Sequence, residues 1–444
     1  MLPTPRLLIL LLLAAPLIAG AALAAPLLWL ALFYLAIVFA VVISDIVMTP
    51  PPEVIELERV HDSKLSLGAP NLITIILANG SPRRLRFVLR DEYPYEFPSD
   101  ATLLNGELPP YDIAEARYHL RPLRRGDYAF GDLVLRYRGV LGTIIRQAHY
   151  PAAAQVKVYP NLLEVRKYDL LARKNMLFEI GLRPARVYGQ GGEFERLRDY
   201  TPDDEFRRIN WKATARRGKP IAAEYETERS QHVVCLLDTG RLMAPPVGDP
   251  AQPDSPGLAR LDYVINTALL LSYVAALKGD YVGLLSFADN VGTYLEPRRG
   301  RAQFQHMLEA LYAVQAQPVE ADHATALTYL SLKQKRRSLV LIFTDLVTLD
   351  AARPLLAHTA RLARRHLPIV VTIADPNTAA LAGKPVSDGN ALYRRAVAEQ
   401  LIDERRVILD TLQRSGVLTI DVPADKLTIS VVNTYLRLKA QNRL

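Results

Sequence analysis

The residues best placed to do chemistry in this chain are aspartates at the ends of predicted strands. Asp238, Asp345 and Asp421 each close a short apolar run, and Asp375 follows a fourth run. In open α/β sheets, ligands bind at the carboxyl ends of the strands, near the point where the strand order reverses. A strand order of 3-2-1-4-5-6 would place Asp238 and Asp345 on adjacent central strands, where two carboxylates can bind a hard divalent cation. The competing interpretation is helix capping, because Asp is favoured just before a helix begins.

Other signatures of catalysis are weak. The stretch Gly189-Gln190-Gly191-Gly192 lacks the Lys-Ser/Thr pair that a phosphate-binding loop requires. Ser286 has no glycine elbow around it, and none of the eight histidines are paired at the spacing of helical metal ligands. Cys235 is the only cysteine, which excludes a disulfide or a cysteine zinc site within one chain and is typical of a reducing compartment. These residue types point away from an enzyme.

An alternation of strands and helices must position the aspartates. The apolar patterns predict strands at 232–238, 281–288, 338–345, 368–374 and 417–421. Between and after them we expect helices at 258–278, 301–311, 350–366, 391–415 and 425–439. Such alternation predicts a mostly parallel, doubly wound, Rossmann-like α/β sheet with helices on both faces. We assign this α/β domain to residues 231–444.

Residues 53–165 have a different pattern, in which short strands are separated by Gly, Pro and Asn. Strands are predicted at 72–77, 85–89, 128–130, 133–137 and 156–159. Several short strands with turn residues between them predict an antiparallel β-sandwich. Nothing in this region has the residue types of a catalytic site.

The first 48 residues have the composition of a membrane segment. No charged residue occurs from Leu7 to Ser44, and this run is roughly twice the ~20 residues that one spanning helix needs. Gly20 and Pro26 near its middle predict a transmembrane hairpin with spans at about 7–23 and 26–46. Arg6 favours a cytoplasmic N-terminus, which would return the soluble domains to the cytoplasmic side of the inner membrane. A cleaved signal peptide is the alternative, and it explains the second apolar half poorly.

The charge balance limits the classes of partner. The formal net charge is +8 over 444 residues, a mild excess that suits a position near an anionic inner leaflet. No basic run with interleaved aromatic residues is apparent, so we expect the lipid bilayer and a protein as partners, and no nucleic acid.

A charged stretch precedes the α/β domain, within residues 186–230. Cationic and acidic side chains interleave there, which predicts internal ion pairs that lock a loop, with the Trp211 ring buried beneath them. The alternative is a docking surface built on the same network. The residues singled out for these structural or interaction roles are Glu193, Arg198, Asp199, Tyr200, Asp203, Asp204, Arg207, Ile209, Trp211 and Arg216.

This charged stretch resembles the signature of the domain-of-unknown-function-58 family, through Gly191-Gly192-Glu193-Phe194-Glu195, Asp199-Tyr200-Thr201-Pro202-Asp203-Asp204 and Asn210-Trp211-Lys212. Residues 121–131 resemble the β region of the same family. The resemblance implies a bacterial or archaeal membrane protein with a degenerate von Willebrand type A-like domain. It also implies a MoxR-type AAA+ ATPase as partner, and the family has no established biochemical activity.

The predicted sheet is also similar to the von Willebrand type A fold, whose metal motif is an Asp-x-Ser-x-Ser loop, a separate Thr and a later Asp. Asp238 matches the first position of that motif, but Gly240 and Leu242 replace both serines. Thr325 and Asp345 match the two remaining positions. The resemblance thus implies Mg²⁺ as the metal, with its two hydroxyl ligands missing.

Two lost ligands predict that no divalent metal binds tightly here, because Mg²⁺ requires near-octahedral oxygen coordination. Arg241 is expected to neutralise Asp238 or Asp345 in place of the cation.

The sequence as a whole predicts a membrane-anchored, non-enzymatic scaffold or adaptor for protein–protein interaction. One alternative is a metal-dependent ligand-binding module that uses Asp238, Thr325 and Asp345. Another is an uncharacterised hydrolase with its site near Asp199, Asp203 and Asp204. The absence of a histidine or cysteine in that stretch counts against the hydrolase.

Overall fold

The computed structural model describes residues 1–20, 24, 26–173, 193–201, 206, 209–226, 230–247, 257–346 and 348–441. The chain divides into two units, Met1–Tyr159 and Pro160–Leu444. The first unit joins apolar helices to β-sheets, and the second is a mixed α/β unit.

Three apolar helices lie at the start of the first unit: α1 (Pro5–Leu12), α2 (Ala15–Gly20) and α3 (Pro26–Met48). With its 23 residues, α3 is long and apolar enough to cross a bilayer. The first predicted span differs from expectation, because it is broken between α1 and α2. Pro16 explains the break, since its ring clashes with the carbonyl four residues earlier, at the end of α1. The Tyr34 hydroxyl donates to the Leu10 carbonyl at 2.9 Å and ties the helices together.

Three sheets form the rest of the first unit. Their strands are β1 (Leu2–Pro3), β2 (Ile55–Val60), β3 (Lys64–Ser66), β4 (Asn71–Asn79), β5 (Leu85–Asp91), β6 (Leu104–Leu108), β7 (Ile113–Leu120), β8 (Gly126–Phe130), β9 (Leu133–Arg138), β10 (Ile144–Tyr150) and β11 (Ala154–Tyr159). The sheet orders are β1-β10-β9-β5-β6, β2-β4-β7 and β3-β11-β8. All pairings are antiparallel except that of β3 with β11.

The predicted strands of this unit fall within β4, β5, β8, β9 and β11. Every second residue of β4 is buried, from Asn71 to Asn79, which is the alternation that a half-buried strand requires. By contrast, β7 was not predicted, because only Tyr118 and Leu120 of its eight residues are buried. A strand with so few apolar positions gives little signal in the sequence.

A buried carboxylate joins the end of α3 to the turn between β9 and β10. Asp45 is fully buried, and its oxygens accept the backbone N–H groups of Leu141 (2.7 Å), Thr143 (2.8 Å) and Ile144 (3.2 Å). The Thr143 hydroxyl donates to the same carboxylate at 2.6 Å. Gly139 passes so close that a Cβ there would lie 2.5 Å from the carboxylate oxygens. The turn is therefore wrapped around one side chain of the helix.

Replacing Asp45 by Asn should loosen this turn, because the amide nitrogen cannot accept the N–H groups that one carboxylate oxygen receives. We expect a loss of about 2 kcal/mol of local stability, which is roughly a 30-fold faster amide exchange. Hydrogen exchange of a peptide covering 139–145, measured on the solubilised full chain, tests this. Asp112→Asn is the control, since Asp112 is exposed and accepts only the Ile113 N–H. Equal exchange in both variants would contradict the proposed role of Asp45.

The second unit contains a six-stranded sheet of order β18-β17-β14-β19-β20-β21. Its strands are β14 (His232–Asp238), β17 (Tyr281–Phe287), β18 (Val291–Arg298), β19 (Leu339–Phe343), β20 (Leu367–Ala374) and β21 (Leu418–Pro423). Only β18 runs antiparallel to its neighbour. Numbered along the chain, the order is 3-2-1-4-5-6, as predicted. Smaller strands of this unit are β12 (Glu193–Asp199), β13 (Ile221–Glu226), β15 (Pro246–Val247) and β16 (Leu258–Ala259).

Helices cover both faces of this sheet. The helices of the second unit are α4 (Leu162–Arg173), α5 (Trp211–Arg217), α6 (Arg260–Leu277), α7 (Arg301–Ala313), α8 (His323–Lys333), α9 (Leu349–Leu362), α10 (Pro376–Gly383), α11 (Gly389–Arg414) and α12 (Ala424–Ala440), of which α5 packs against β13 and not against this sheet. The core on one face joins Val234 and Leu236 of β14 to side chains of α8, α9 and α11. On the other face, α6 packs against α7 and α12. The fully apolar strands between these layers are typical of a buried parallel sheet.

Most elements of this sheet were predicted, and β14 has the predicted bounds. The prediction omitted β18, α8 and α10. As an antiparallel edge strand with only Pro297 buried, β18 lacks an apolar run. The start of α8 carried a usable signal, because Asp322 caps it and accepts the Thr325 N–H at 3.1 Å.

Candidate functional site

Asp238 ends β14 and is almost fully buried, with 2% of its surface exposed. One carboxylate oxygen accepts the Gly240 N–H at 2.7 Å, and the other accepts the Thr344 hydroxyl at 2.6 Å. His323, the first residue of α8, places Nε2 at 3.0 Å from the Thr344 hydroxyl and 3.8 Å from the carboxylate. Thr344, which follows β19, and His323, which begins α8, therefore both lie close to the carboxylate of Asp238.

Burial shifts the pKa values of this pair in opposite directions. Burial raises the pKa of Asp238, against the charge of His323 and the hydrogen bonds from Thr344 and Gly240, and the nearby charge of Asp345 raises it further. Burial lowers the pKa of His323, although the charge of Asp238 opposes that shift. Both shifts favour the uncharged forms of these two side chains.

Asp345 lies just beyond β19 and contacts two arginines. Its Oδ1 accepts Nη1 of Arg405 at 2.9 Å, and its Oδ2 lies 3.4 Å from Nε of Arg260. Arg405 also donates to Asp421 at 2.8 Å, and Arg260 lies 3.7 Å from Asp375. Two arginines thus form ion pairs with three of the aspartates that the sequence singles out.

Arg405 is the centre of this network. Burial disfavours its charged form, but the hydrogen bond to Asp421 and the charge of Asp345 outweigh burial and raise the pKa of Arg405. The prediction that Arg241 neutralises Asp238 or Asp345 is wrong. Arg241 forms an exposed ion pair with Glu320 instead. It opens a short 3₁₀ turn, Arg241–Met243, that leads its side chain out to solvent.

The residues at this edge do not fit the metal motif that the fold resemblance implies. A Cβ at position 240 would lie 3.0 Å from the Val319 carbonyl oxygen and 3.1 Å from the Ala321 nitrogen, so a serine there is crowded. The Thr325 hydroxyl is exposed and donates to Asp322 at 2.5 Å. Asp345 is held by arginines. Within the described ranges, no three His, Cys, Asp or Glu side chains are grouped as metal ligands.

The helix-capping interpretation applies to Asp375, whose carboxylate caps α10 and accepts the Asn377 N–H at 2.9 Å. Asp421 lies inside β21 and accepts a hydrogen bond from Arg405. Beside them is a cavity of about 540 Å³, lined by Arg260, Asp345, Asp375, Arg405 and apolar side chains of α10 and α11. The sequence analysis did not identify either arginine. Arg260 carried a usable signal, because it is a charged residue at the start of the long apolar helix α6.

The charged signature segment forms a separate structure. Its strands β12 and β13 pair with each other, and α5 lies in the connection between them along the chain. Glu193, Arg198 and Asp199 belong to β12, Tyr200 follows it, and Asp199 pairs with Lys219 at 2.6 Å. Ile209 bridges to Ala222. Arg216 is exposed on α5. Asp203, Asp204 and Arg207 lie outside the described residues.

The predicted burial of Trp211 is wrong. Its side chain is 60% exposed and contacts the ring of Phe206, which is 69% exposed, at a centroid distance of 5.5 Å. The cause is the start of α5, where Asn210 caps the helix by accepting the Ala213 N–H at 3.0 Å. Trp211 is then the first helical residue and points outward.

Comparison with known proteins assigns the family. The family model described as Protein of unknown function DUF58 matches residues 196–390. Residues 196–390 of the chain are thus a DUF58 region. This DUF58 match covers most of the signature segment and, counted along the chain, the first five strands of the six-stranded sheet, β14 and β17 to β20.

Relatives of this DUF58 chain include Uncharacterized protein YeaD of Bacillus subtilis, 28% identical over 121 residues, which are 27% of this chain and 30% of that protein. Uncharacterized protein Rv1480 of Mycobacterium tuberculosis is 24% identical over 200 residues, which are 44% of this chain and 58% of that protein. The matched regions therefore span less than two thirds of either relative.

Two solved structures show a distant likeness to the DUF58 chain. The conserved hypothetical protein BatB from Bacteroides thetaiotaomicron has a TM-score of 0.34 and 12% identity, covering 48% of this chain and 100% of that one. Proximal thread matrix protein 1 from the mussel byssus has a TM-score of 0.29 and 11% identity, covering 48% and 46%. The family assignment rests on the sequence match.

Replacing Arg405 by Met should cost about 3–5 kcal/mol, because it leaves Asp345 and Asp421 without their shared cation in a largely buried site. Chemical unfolding of the solubilised full chain measures the loss. Arg406→Met is the matched control: this neighbour on α11 forms an exposed ion pair with Asp403, which is worth about 1 kcal/mol at most. Similar losses in both variants would refute the role of Arg405, whereas adding Asp345→Asn to Arg405→Met should recover part of the loss.

Millimolar Mg²⁺ or Mn²⁺ should leave the melting temperature of the full chain unchanged. Only a ligand that binds the folded state raises the melting temperature, and the oxygen atoms of Asp345 and Thr325 are already engaged. The measurement is thermal unfolding in chelator and in each metal. A metal-dependent rise that Asp238→Asn abolishes would show that the edge binds metal after all.

Proposed function

We propose that this DUF58 protein is a membrane-anchored protein-interaction scaffold, whose α/β unit is a von Willebrand type A-like domain that works without a metal ion. The observation that carries the proposal is the double ion pair of Arg405 with Asp345 and Asp421. It occupies the carboxylates that a metal or a catalytic water would need. An edge held by internal ion pairs has a preformed shape, which favours recognition of a partner by surface complementarity.

The chemistry of the edge supports binding over catalysis. Thr344 is buried with its hydroxyl donating to Asp238, so it is poorly placed to attack a substrate. His323 is buried, and burial lowers its pKa. Arg241 and Glu320, which are exposed, pair with each other. This arrangement is a surface of fixed charges rather than a set of reactive groups.

The anchor is the second part of the proposal. Apolar α3 supplies a membrane span, and Arg6 ahead of the apolar run favours a cytoplasmic N-terminus. We place the soluble units on the cytoplasmic side of the inner membrane. The resemblance of the signature segment to its family implies the partner, a MoxR-type AAA+ ATPase.

The carboxyl end of the sheet is the proposed docking end. A cavity of about 230 Å³ opens there, lined by residues of three loops that include Asp238, Arg241, Glu320 and Asp350. Leu349 lies beside it and is 36% exposed. In doubly wound sheets this is the crevice where strand order reverses and ligands bind.

Site-specific photo-crosslinking in native membranes tests the docking end. A photoreactive amino acid at Leu349 should capture a protein partner, and the capture should be unchanged by chelator. The same residue at Leu332 is the matched control, since this leucine is 69% exposed but lies at the end of α8, toward the amino edge of the sheet. Equal capture at the two positions, or capture that requires metal, would refute the proposal.

A further inference from the structure

One exposed surface is explained neither by the sheet edge nor by the anchor. We define the α5 surface as Phe206, Trp211, Lys212, Arg216 and Arg217. Its two aromatic rings meet edge to face at 65° and are more than half exposed. A pair of large exposed rings in a folded protein marks an interaction site.

The charge of this surface is of one sign. Between Phe206 and Lys219 the sequence has six cationic residues and no acidic one. Lys219 is paired with Asp199, but Lys212, Arg216 and Arg217 form no ion pair with any described residue. A basic run with interleaved aromatic residues, which the sequence analysis did not recognise, is present here.

Helix geometry places the aromatic and cationic groups together. At 100° per residue, Trp211, Lys212 and Arg216 fall within an arc of about 140°, and all three are exposed. The opposite side is fixed to the hairpin, since the Thr214 hydroxyl accepts the Ile221 N–H at 3.0 Å. The outward side of α5 thus combines a Trp with cations that form no ion pair within the described ranges.

We propose that the α5 surface binds the anionic lipid surface of the bilayer in which the chain is anchored. Tryptophan favours the headgroup region of a membrane, and Lys and Arg are attracted to an anionic leaflet. The bilayer is the favoured occupant because the chain carries its own anchor, which keeps lipid at a high effective concentration. A protein or nucleic acid would have to be recruited from solution.

Such binding would act directly on the α/β unit. The hairpin strand β13 ends at Glu226, and β14 begins at His232. A contact between α5 and the lipid surface would therefore hold the first strand of the six-stranded sheet a few residues from the membrane.

The chain allows a selective measurement, because it has only two tryptophans. Trp29→Phe removes the one in α3 and leaves Trp211 as the reporter. The full chain is placed in nanodiscs of phosphatidylcholine alone, or of phosphatidylcholine with phosphatidylglycerol, each with and without bromine on the acyl chains near the headgroup. Bromine quenches a nearby tryptophan, so we expect loss of Trp211 emission in brominated anionic discs, little loss in brominated neutral discs, and recovery in high salt.

A charge-matched pair of variants provides the control. Lys212→Gln with Arg216→Gln and Arg217→Gln should abolish the quenching, without a change in melting temperature because all three residues are exposed. Lys384→Gln with Arg394→Gln and Arg414→Gln, which also removes three exposed cations, one just after α10 and two on α11, should leave it intact. Equal quenching in neutral and anionic discs would overturn the proposal, as would quenching that survives the triple substitution. An emission change caused only by added acidic protein or RNA would assign the surface to that partner instead.

Discussion

The ion pairs of Arg405 are the interaction on which the carboxyl end of the sheet depends. Parallel strands bring their carboxyl ends to one edge, so carboxylates collect there whether or not a ligand is present. Each would cost several kcal/mol if it were buried without a partner. Arg405 reaches Asp345 from 60 residues away and Asp421 from 16 residues away, and it thereby joins α11 to the ends of two strands. The same ion pairs therefore fix the position of α11 and balance the negative charge at the carboxyl edge of the sheet.

The sequence predicts this edge in outline and misses what controls it. Strands buried on both faces, such as β14 and β19, appear as continuous apolar runs, so their bounds and order are predictable. Ion pairs between distant residues leave no such pattern, and the assignment of Arg241 in place of Arg405 and Arg260 is a failure of this kind. The predicted burial of Trp211 is wrong for another reason. Its exposure follows from one capping bond at Asn210, and residue type alone favoured burial.

The crowding at Gly240 and the arginines at Asp345 have the same effect, because both disfavour a metal ion at this edge. A loop that passes 3.0 Å from the position of a Cβ has no room for a hydroxyl ligand, and a carboxylate that is already paired has little free charge for a cation. A metal can leave and return, whereas a guanidinium belongs to the chain. The edge is therefore in one permanent state, and any regulation of binding must come from elsewhere in the protein.

The carboxylate of Asp45 has a mechanical consequence. The 23 residues of α3 measure about 35 Å at 1.5 Å per residue, which is long enough to cross a hydrocarbon core of about 30 Å with some tilt. The turn between β9 and β10 is hydrogen-bonded to Asp45 near the end of that helix. The helix and the two strands are therefore joined directly. If α3 spans a bilayer, a change in bilayer thickness that alters the tilt of the helix would also reorient the sheet that contains β9 and β10.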